Sequence, residues 1–243
     1  ENLASITAQA LHLAASGIPG PVLISLPEDM LEEAASGPVA ELPNEAVPQA
    51  SDADVARTAE MLTRAERPML VVGPALQLSE RELLVEVSEK FKLPVALGWK
   101  QQHLFPNRHP HYAGHLGYNI PAAHLETVSP ADLVIGLGTR LGDVTTQGYR
   151  FPEAPRPRQP LVHVFPAKEA LGAVYEPTLA IHSDCGSFLR KLLSHAAGKI
   201  PDARAAWIAG THGYVESLMN WSSPRADDGV IYGAVIEALN RLA

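Results

Sequence analysis

Five short stretches of this 243-residue chain are apolar at consecutive rather than alternate positions. They are Met69-Leu70-Val71-Val72, Val95-Ala96-Leu97, Leu133-Val134-Ile135-Gly136-Leu137, Leu161-Val162-His163-Val164 and Leu179-Ala180-Ile181. A strand with one face in water alternates apolar and polar residues, so these runs predict strands covered on both faces. Amphipathic stretches separate them. Ser51 can cap a helix with Val55, Ala59 and Leu62 on its buried stripe, and Ser79 and Glu82 stand at capping-box spacing before Leu83, Leu84, Val87 and Phe91. A further short helix is expected near Pro121. Strands joined by helices make a parallel sheet, and residues 51–197 therefore read as a doubly wound α/β domain.

The flanks read differently. Leu3, Ile6, Ala10, Leu13 and Ala14 have helical spacing, with Asn2 as the expected cap. Gly17-Ile18-Pro19-Gly20-Pro21 breaks that helix, and Val22-Leu23-Ile24-Ser25-Leu26 is expected to be a strand stopped by Pro27. One helix and one strand make no core, so residues 1–31 are expected to be the end of another domain. A chain that opens on Glu1 reads as a piece of something longer. Residues 32–50, rich in Ala, Pro and Glu, read as a linker. Residues 198–243 read as a helical linker: a helix-like stretch from Trp207 to Trp221, a break at Ser222-Ser223-Pro224, and an amphipathic helix from Asp228 to Leu242.

Apolar residues make up 46% of the chain and charged ones 19%, which excludes a wholly disordered protein. Nineteen basic against 27 acidic residues give a net charge of -8, which argues against broad binding to nucleic acid or anionic membrane. No apolar run approaches the roughly 20 residues needed to cross a bilayer, and the N-terminus lacks the pattern of a secretory signal. Cys185 is the only cysteine, so no internal disulfide can form and a cytoplasmic setting is expected.

Three glycine loops follow the expected strands: Gly73-Pro74-Ala75, Gly98-Trp99-Lys100 and Gly138-Thr139-Arg140-Leu141-Gly142. Glycine there lets a phosphate approach the backbone, but tight turn geometry demands it equally, and neither a GxGxxG nor a GxxxxGK[ST] pattern is present. Arg140 adds a guanidinium suited to a diphosphate or carboxylate. His103, His109, His111 and His115 cluster in one loop without Cys or acidic companions, which favours a structural or ligand-facing loop over a metal site. There is no Gly-x-Ser-x-Gly elbow, and Cys185 reads as a packed residue. The acid pairs Glu28-Asp29, Glu32-Glu33 and Asp227-Asp228 read as solvated faces.

The order of the pieces carries more than any one of them. Ala15-Ser16-Gly17-Ile18-Pro19-Gly20-Pro21-Val22, running into Leu26-Pro27-Glu28-Asp29-Met30, resembles the end of the pyrimidine-binding domain in thiamine-diphosphate enzymes of the acetolactate synthase and benzoylformate decarboxylase type. Arg67 to Gly73, Leu93-Pro94-Val95, Gly114-His115-Leu116-Gly117, Ala131 to Arg140 and Leu179-Ala180-Ile181 resemble successive motifs of that family's middle domain. The resemblance implies a Rossmann-like middle domain, the remaining domains of a parent enzyme as partners, and homo-oligomers. It also implies thiamine diphosphate and Mg²⁺ in the parent only, since the family's catalytic glutamate and Gly-Asp-Gly motif match nothing in this chain.

Some members carry FAD in this domain. The positions matching FAD-contacting loops are Gly73, Gly114, His115, Gly117, Gly138, Thr139 and Arg140, which are expected to gather in one crevice with Arg140 near a diphosphate. His163-Val164-Phe165-Pro166 replaces the family's Asp-x-Asp-Pro and removes carboxylates suited to a ribose, so the reading leans away from flavin. A free-standing FAD- or NAD-binding domain and a dimerisation module are the competing readings.

Overall fold

The computed structural model describes residues 2–32, 41–42, 46–220, 222, 224 and 229–242. Six strands, β1 (Pro68–Val72), β2 (Val95–Gly98), β3 (Tyr112–Leu116), β4 (Leu133–Leu137), β5 (Leu161–Phe165) and β6 (Leu179–His182), form one sheet in the order β3-β2-β1-β4-β5-β6. Every pairing is parallel, with Val71 opposite both Ala96 and Gly136, so the expected doubly wound α/β fold is the fold observed. The strand order reverses between β1 and β4, which opens a switch point at their carboxyl ends.

Both faces of the sheet are covered, as the unbroken apolar runs require. On one face α2 (Asp52–Arg64), α3 (Arg81–Phe91) and α5 (Cys185–Ser194) pack Val55, Leu62, Leu84, Phe91, Phe188 and Leu192 against Leu70, Ile135 and Val162. On the other, α4 (Ala122–Val128) and α6 (Ala203–Met219) bring Val128 and Trp207 to Val71, Val134 and Leu161. Ser51 caps α2 as its spacing predicts, its hydroxyl accepting from the Asp54 amide at 3.1 Å. The capping box before α3 is displaced by two residues: Gln77 and Glu80 form it around a short 3₁₀ turn, with the Glu80 carboxylate accepting from the Gln77 amide at 3.3 Å.

Four further sequence expectations change. β3 forms where a loop was expected, hidden by His115, by Gly114 at φ +85° and by a register shift against β2. Val22–Leu26 is not a strand, and Leu23 is 93% exposed. Helix α1 (Leu3–Ala15) starts after Asn2, but the Asn2 side chain makes no capping bond. Helix α6 packs along β3 and buries Arg204, Trp207, Thr211 and Val215, so the packed body extends past residue 197. α7 (Tyr232–Leu242) has no buried residue. The expected start of that helix at Asp228, the acids Glu33 and Asp227, and Trp221 and Ser223 lie outside the described residues.

No helix among the described residues is long and apolar enough to cross a membrane.

Candidate functional site

At the carboxyl ends of β1, β2, β4 and β5 the chain leaves a crevice of about 350 Å³. Pro74 enters it from the turn after β1, Gly98 and Trp99 from the end of β2, and Phe165 from the end of β5. The segment after β4 supplies Thr139, Arg140 and the turn from Gly142 to Thr145, and Ile18, beyond α1, closes one side. The walls are largely apolar. Arg140 is exposed and, among the described residues, makes no ion pair; its guanidinium carbon lies 5.9 Å from the centroid of the Phe165 ring. Asp143 is the crevice's only acidic residue.

The loop carrying Arg140 is firmly held. His163, 1% exposed on β5, donates through Nε2 to the Thr139 carbonyl at 2.8 Å. That bond fixes the proton on Nε2 of the neutral ring and leaves Nδ1 buried without a partner among the described residues. Burial pushes the His163 pKa down, against the opposing effect of the Thr139 hydrogen bond. Thr139 Oγ1 accepts from the Leu141 amide at 3.1 Å, and Leu141 takes φ +50°. Gln147 donates through Nε2 to the Gly117 carbonyl at 2.6 Å, joining the loops after β3 and β4.

The seven expected site residues divide. Thr139 and Arg140 line the crevice. Gly73 and Gly138 lie beneath it, and their missing side chains are accounted for by the protein itself. A Cβ on Gly73 would stand 2.5 Å from the Gly138 carbonyl oxygen and from Thr139 Cα. Gly138 has φ +64°, and a Cβ there would stand 2.8 Å from Cys185 Sγ. Their amides are also used, Gly73 donating to the Leu137 carbonyl at 2.9 Å and Gly138 to that of Val164 at 3.0 Å. The β1/β4 switch point is thus filled by the chain's own backbone. Gly114 and His115 line a separate pocket of about 340 Å³ between β3 and the end of α6, while Gly117 is buried beside Trp99. The expected single crevice is therefore two pockets.

Sequence reasoning passed over Trp99, Asp143, Thr145 and Phe165 as crevice residues. Their signal was position alone: Trp99 follows Gly98, Asp143 and Thr145 come just after Gly142, and Phe165 follows the apolar run Leu161–Val164.

The histidine loop is tied to α3. His111 Nδ1 is 2.9 Å from Ser88 Oγ, which itself donates to the Leu93 carbonyl at 2.8 Å, and His109 Nε2 is 3.3 Å from Glu89 Oε1. His103 is exposed. Burial, helped by the nearby His109 and Lys92, lowers the His111 pKa to about 4. Among the described residues no three His, Cys, Asp or Glu side chains stand together in a way that could hold a metal ion. Cys185 is buried at the start of α5, and burial raises its thiol pKa, so it stays a protonated packing group.

Comparison with known proteins places residues 55–192 on the family model described as thiamine pyrophosphate enzyme, central domain. The chain is 32% identical to a sulfoacetaldehyde acetyltransferase of Rhodobacter capsulatus, over 86% of this chain and 36% of that protein. It is 31% identical to an acetolactate synthase large subunit of Parasynechococcus marenigrum, over 100% of this chain and 40% of that protein. Among solved structures it is similar to that of a putative thiamin diphosphate-dependent enzyme from Mycobacterium smegmatis. There the TM-score is 0.64 and the identity 27%, covering 84% of this chain and 38% of that one. The chain thus spans about two fifths of the length of the curated relatives it matches.

Proposed function

The chain belongs to the thiamine pyrophosphate enzyme central-domain family, and from that premise we propose that it is the non-catalytic middle domain of an acetolactate synthase-like enzyme. In such an enzyme thiamine diphosphate supplies an ylid and electron sink for carbanion chemistry on a 2-oxo acid. The residues of this chain do not fit that group. The crevice offers one carboxylate, Asp143, no second acidic residue for Mg²⁺, and no open glycine cradle for a diphosphate, because the space at Gly73 and Gly138 is taken. The cofactor and Mg²⁺ are therefore assigned to the remaining domains of the parent enzyme, which are the partners of this one. Homo-oligomerisation and a cytoplasmic setting belong to the same reading.

The observation that carries the proposal is the agreement between the family match over residues 55–192 and a six-stranded parallel sheet whose switch point is closed by its own backbone. Calorimetric titration of the chain with thiamine diphosphate and Mg²⁺ tests it. No saturable heat at micromolar concentration is expected, and saturable binding would overturn the assignment.

Within this domain the strand-end crevice, with Thr139 and Arg140, is proposed as the one ligand site. What supports it is a cation that makes no ion pair among the described residues, on a largely apolar concave surface at the carboxyl ends of parallel strands. Flavin is not part of this reading: the end of β5 presents Phe165 where a ribose would need a carboxylate.

A further inference from the structure

We propose that the strand-end crevice binds a planar aromatic monoanion of the aryl carboxylate class rather than a dinucleotide. The inference rests on the reading of that crevice as a ligand site and adds what it takes. Size is the first argument. At about 350 Å³ the crevice lies at the lower end of small-molecule pockets and holds roughly a dozen water-sized volumes, enough for one fused ring system with a substituent. Two ring systems joined through two riboses and a diphosphate would extend well beyond it.

Shape and charge agree with size. Trp99, 48% exposed, offers aromatic surface to the crevice, and Pro74 and Val144 add apolar wall suited to a flat ring, while the Phe165 ring lies buried under Arg140. The lining carries one cation, Arg140, and one carboxylate, Asp143, and the Lys100 ammonium stands just outside it, 4.4 Å from the Trp99 ring centroid. A single anionic group is matched by the guanidinium, whose fork pairs a carboxylate through two hydrogen bonds. A second anionic group, as in a diphosphate, would meet Asp143. The guanidinium is also held in place before any ligand arrives, by the Phe165 ring beneath it and by the His163 bond that fixes the Thr139 carbonyl next to it.

The test uses 2-naphthoate as the probe and calorimetry as the readout. Saturable binding is expected. It should weaken about tenfold or more for the uncharged 2-naphthamide and for the Arg140→Leu variant, and severalfold for Trp99→Ala. FAD should not displace the probe. Arg140 is exposed and makes no ion pair among the described residues, so its variant should keep the parent's thermal midpoint and show that folding is intact. If FAD displaces naphthoate in an Arg140-dependent manner, the crevice is a ligand site but the ligand class is wrong. If no probe binds saturably, or naphthoate binding ignores both substitutions, the ligand-site reading itself fails.

Discussion

Arg204 on α6 donates through Nη1 to the Phe91 carbonyl at the end of α3, at 2.6 Å. Its Nη2 donates to the Leu62 and Ala65 carbonyls at the end of α2. Only 1% of Arg204 is exposed, so one cation serves the carbonyl-bearing ends of two helices in a place water does not reach. Burial lowers its pKa, with Asp132 acting in the opposite sense. Arg204→Met keeps the stem but strands three buried carbonyls. It should cost about 2–4 kcal/mol, read as a fall of the thermal midpoint by roughly 5–15 °C. A midpoint within 2 °C of the parent, in the range of ordinary surface substitutions of about 0.5 kcal/mol or less, would show that the three contacts contribute nothing.

Acidification should destabilise the domain before its carboxylates titrate. Burial depresses the pKa of His111, His115, His124 and His163, so the unfolded chain binds protons that the folded chain refuses. For such groups stability is fully present above the unfolded histidine pKa of about 6.5 and is lost as pH falls toward the folded value. For His111 that value is about 4. Glu80 works oppositely, because burial raises its pKa: its contribution is greatest below the usual carboxylate pKa and fades as pH rises. The urea midpoint should therefore drop between pH 7 and pH 5, and a His111→Asn variant should show a shallower drop. A midpoint independent of pH over that window would contradict the assigned burial.

Gly73→Ala should do more harm than its one added methyl suggests. The new Cβ would meet the Gly138 carbonyl oxygen and Thr139 Cα at 2.5 Å, backbone atoms that cannot rotate away, and Thr139 Cβ at the same distance. The cost expected for overpacking is about 1–3 kcal/mol. Because the displaced atoms carry Arg140, binding of 2-naphthoate should weaken with stability. Gly142→Ala is the control for stability alone: nothing stands within 4 Å of its Cβ position, so it should leave the thermal midpoint near the parent's.

Much of this was legible because doubly buried strands announce themselves. Leu133–Leu137 has no polar residue to disguise it, whereas β3 carries Gly114 and His115 and pairs on one side only, so its sequence resembles a loop. Arg140 and Thr139 were found because they follow a strand-ending glycine. Gly114 and His115 were assigned to the same crevice because sequence order gives the loop but not the direction in which an edge strand, bulged against β2, turns its residues. Arg204 gave no signal: a lone arginine reads as surface until α6 is seen lying across the ends of two helices.

Tyr175 holds the crevice loop from below. Its hydroxyl stands 3.1 Å from the Leu141 carbonyl and 3.3 Å from that of Pro152, donating between them, and burial pushes its pKa up to about 12. Tyr175→Phe keeps the ring's packing and removes only that donor, so a loss of about 1–2 kcal/mol is expected. The loss should be local. Leu141 sits at φ +50°, a conformation that persists only where its surroundings enforce it, so hydrogen exchange over residues 141–152 should accelerate while α2 and α3 keep their protection. Faster exchange spread evenly over the whole sheet would instead mean that Tyr175 serves global stability and has no particular hold on the loop that presents Arg140.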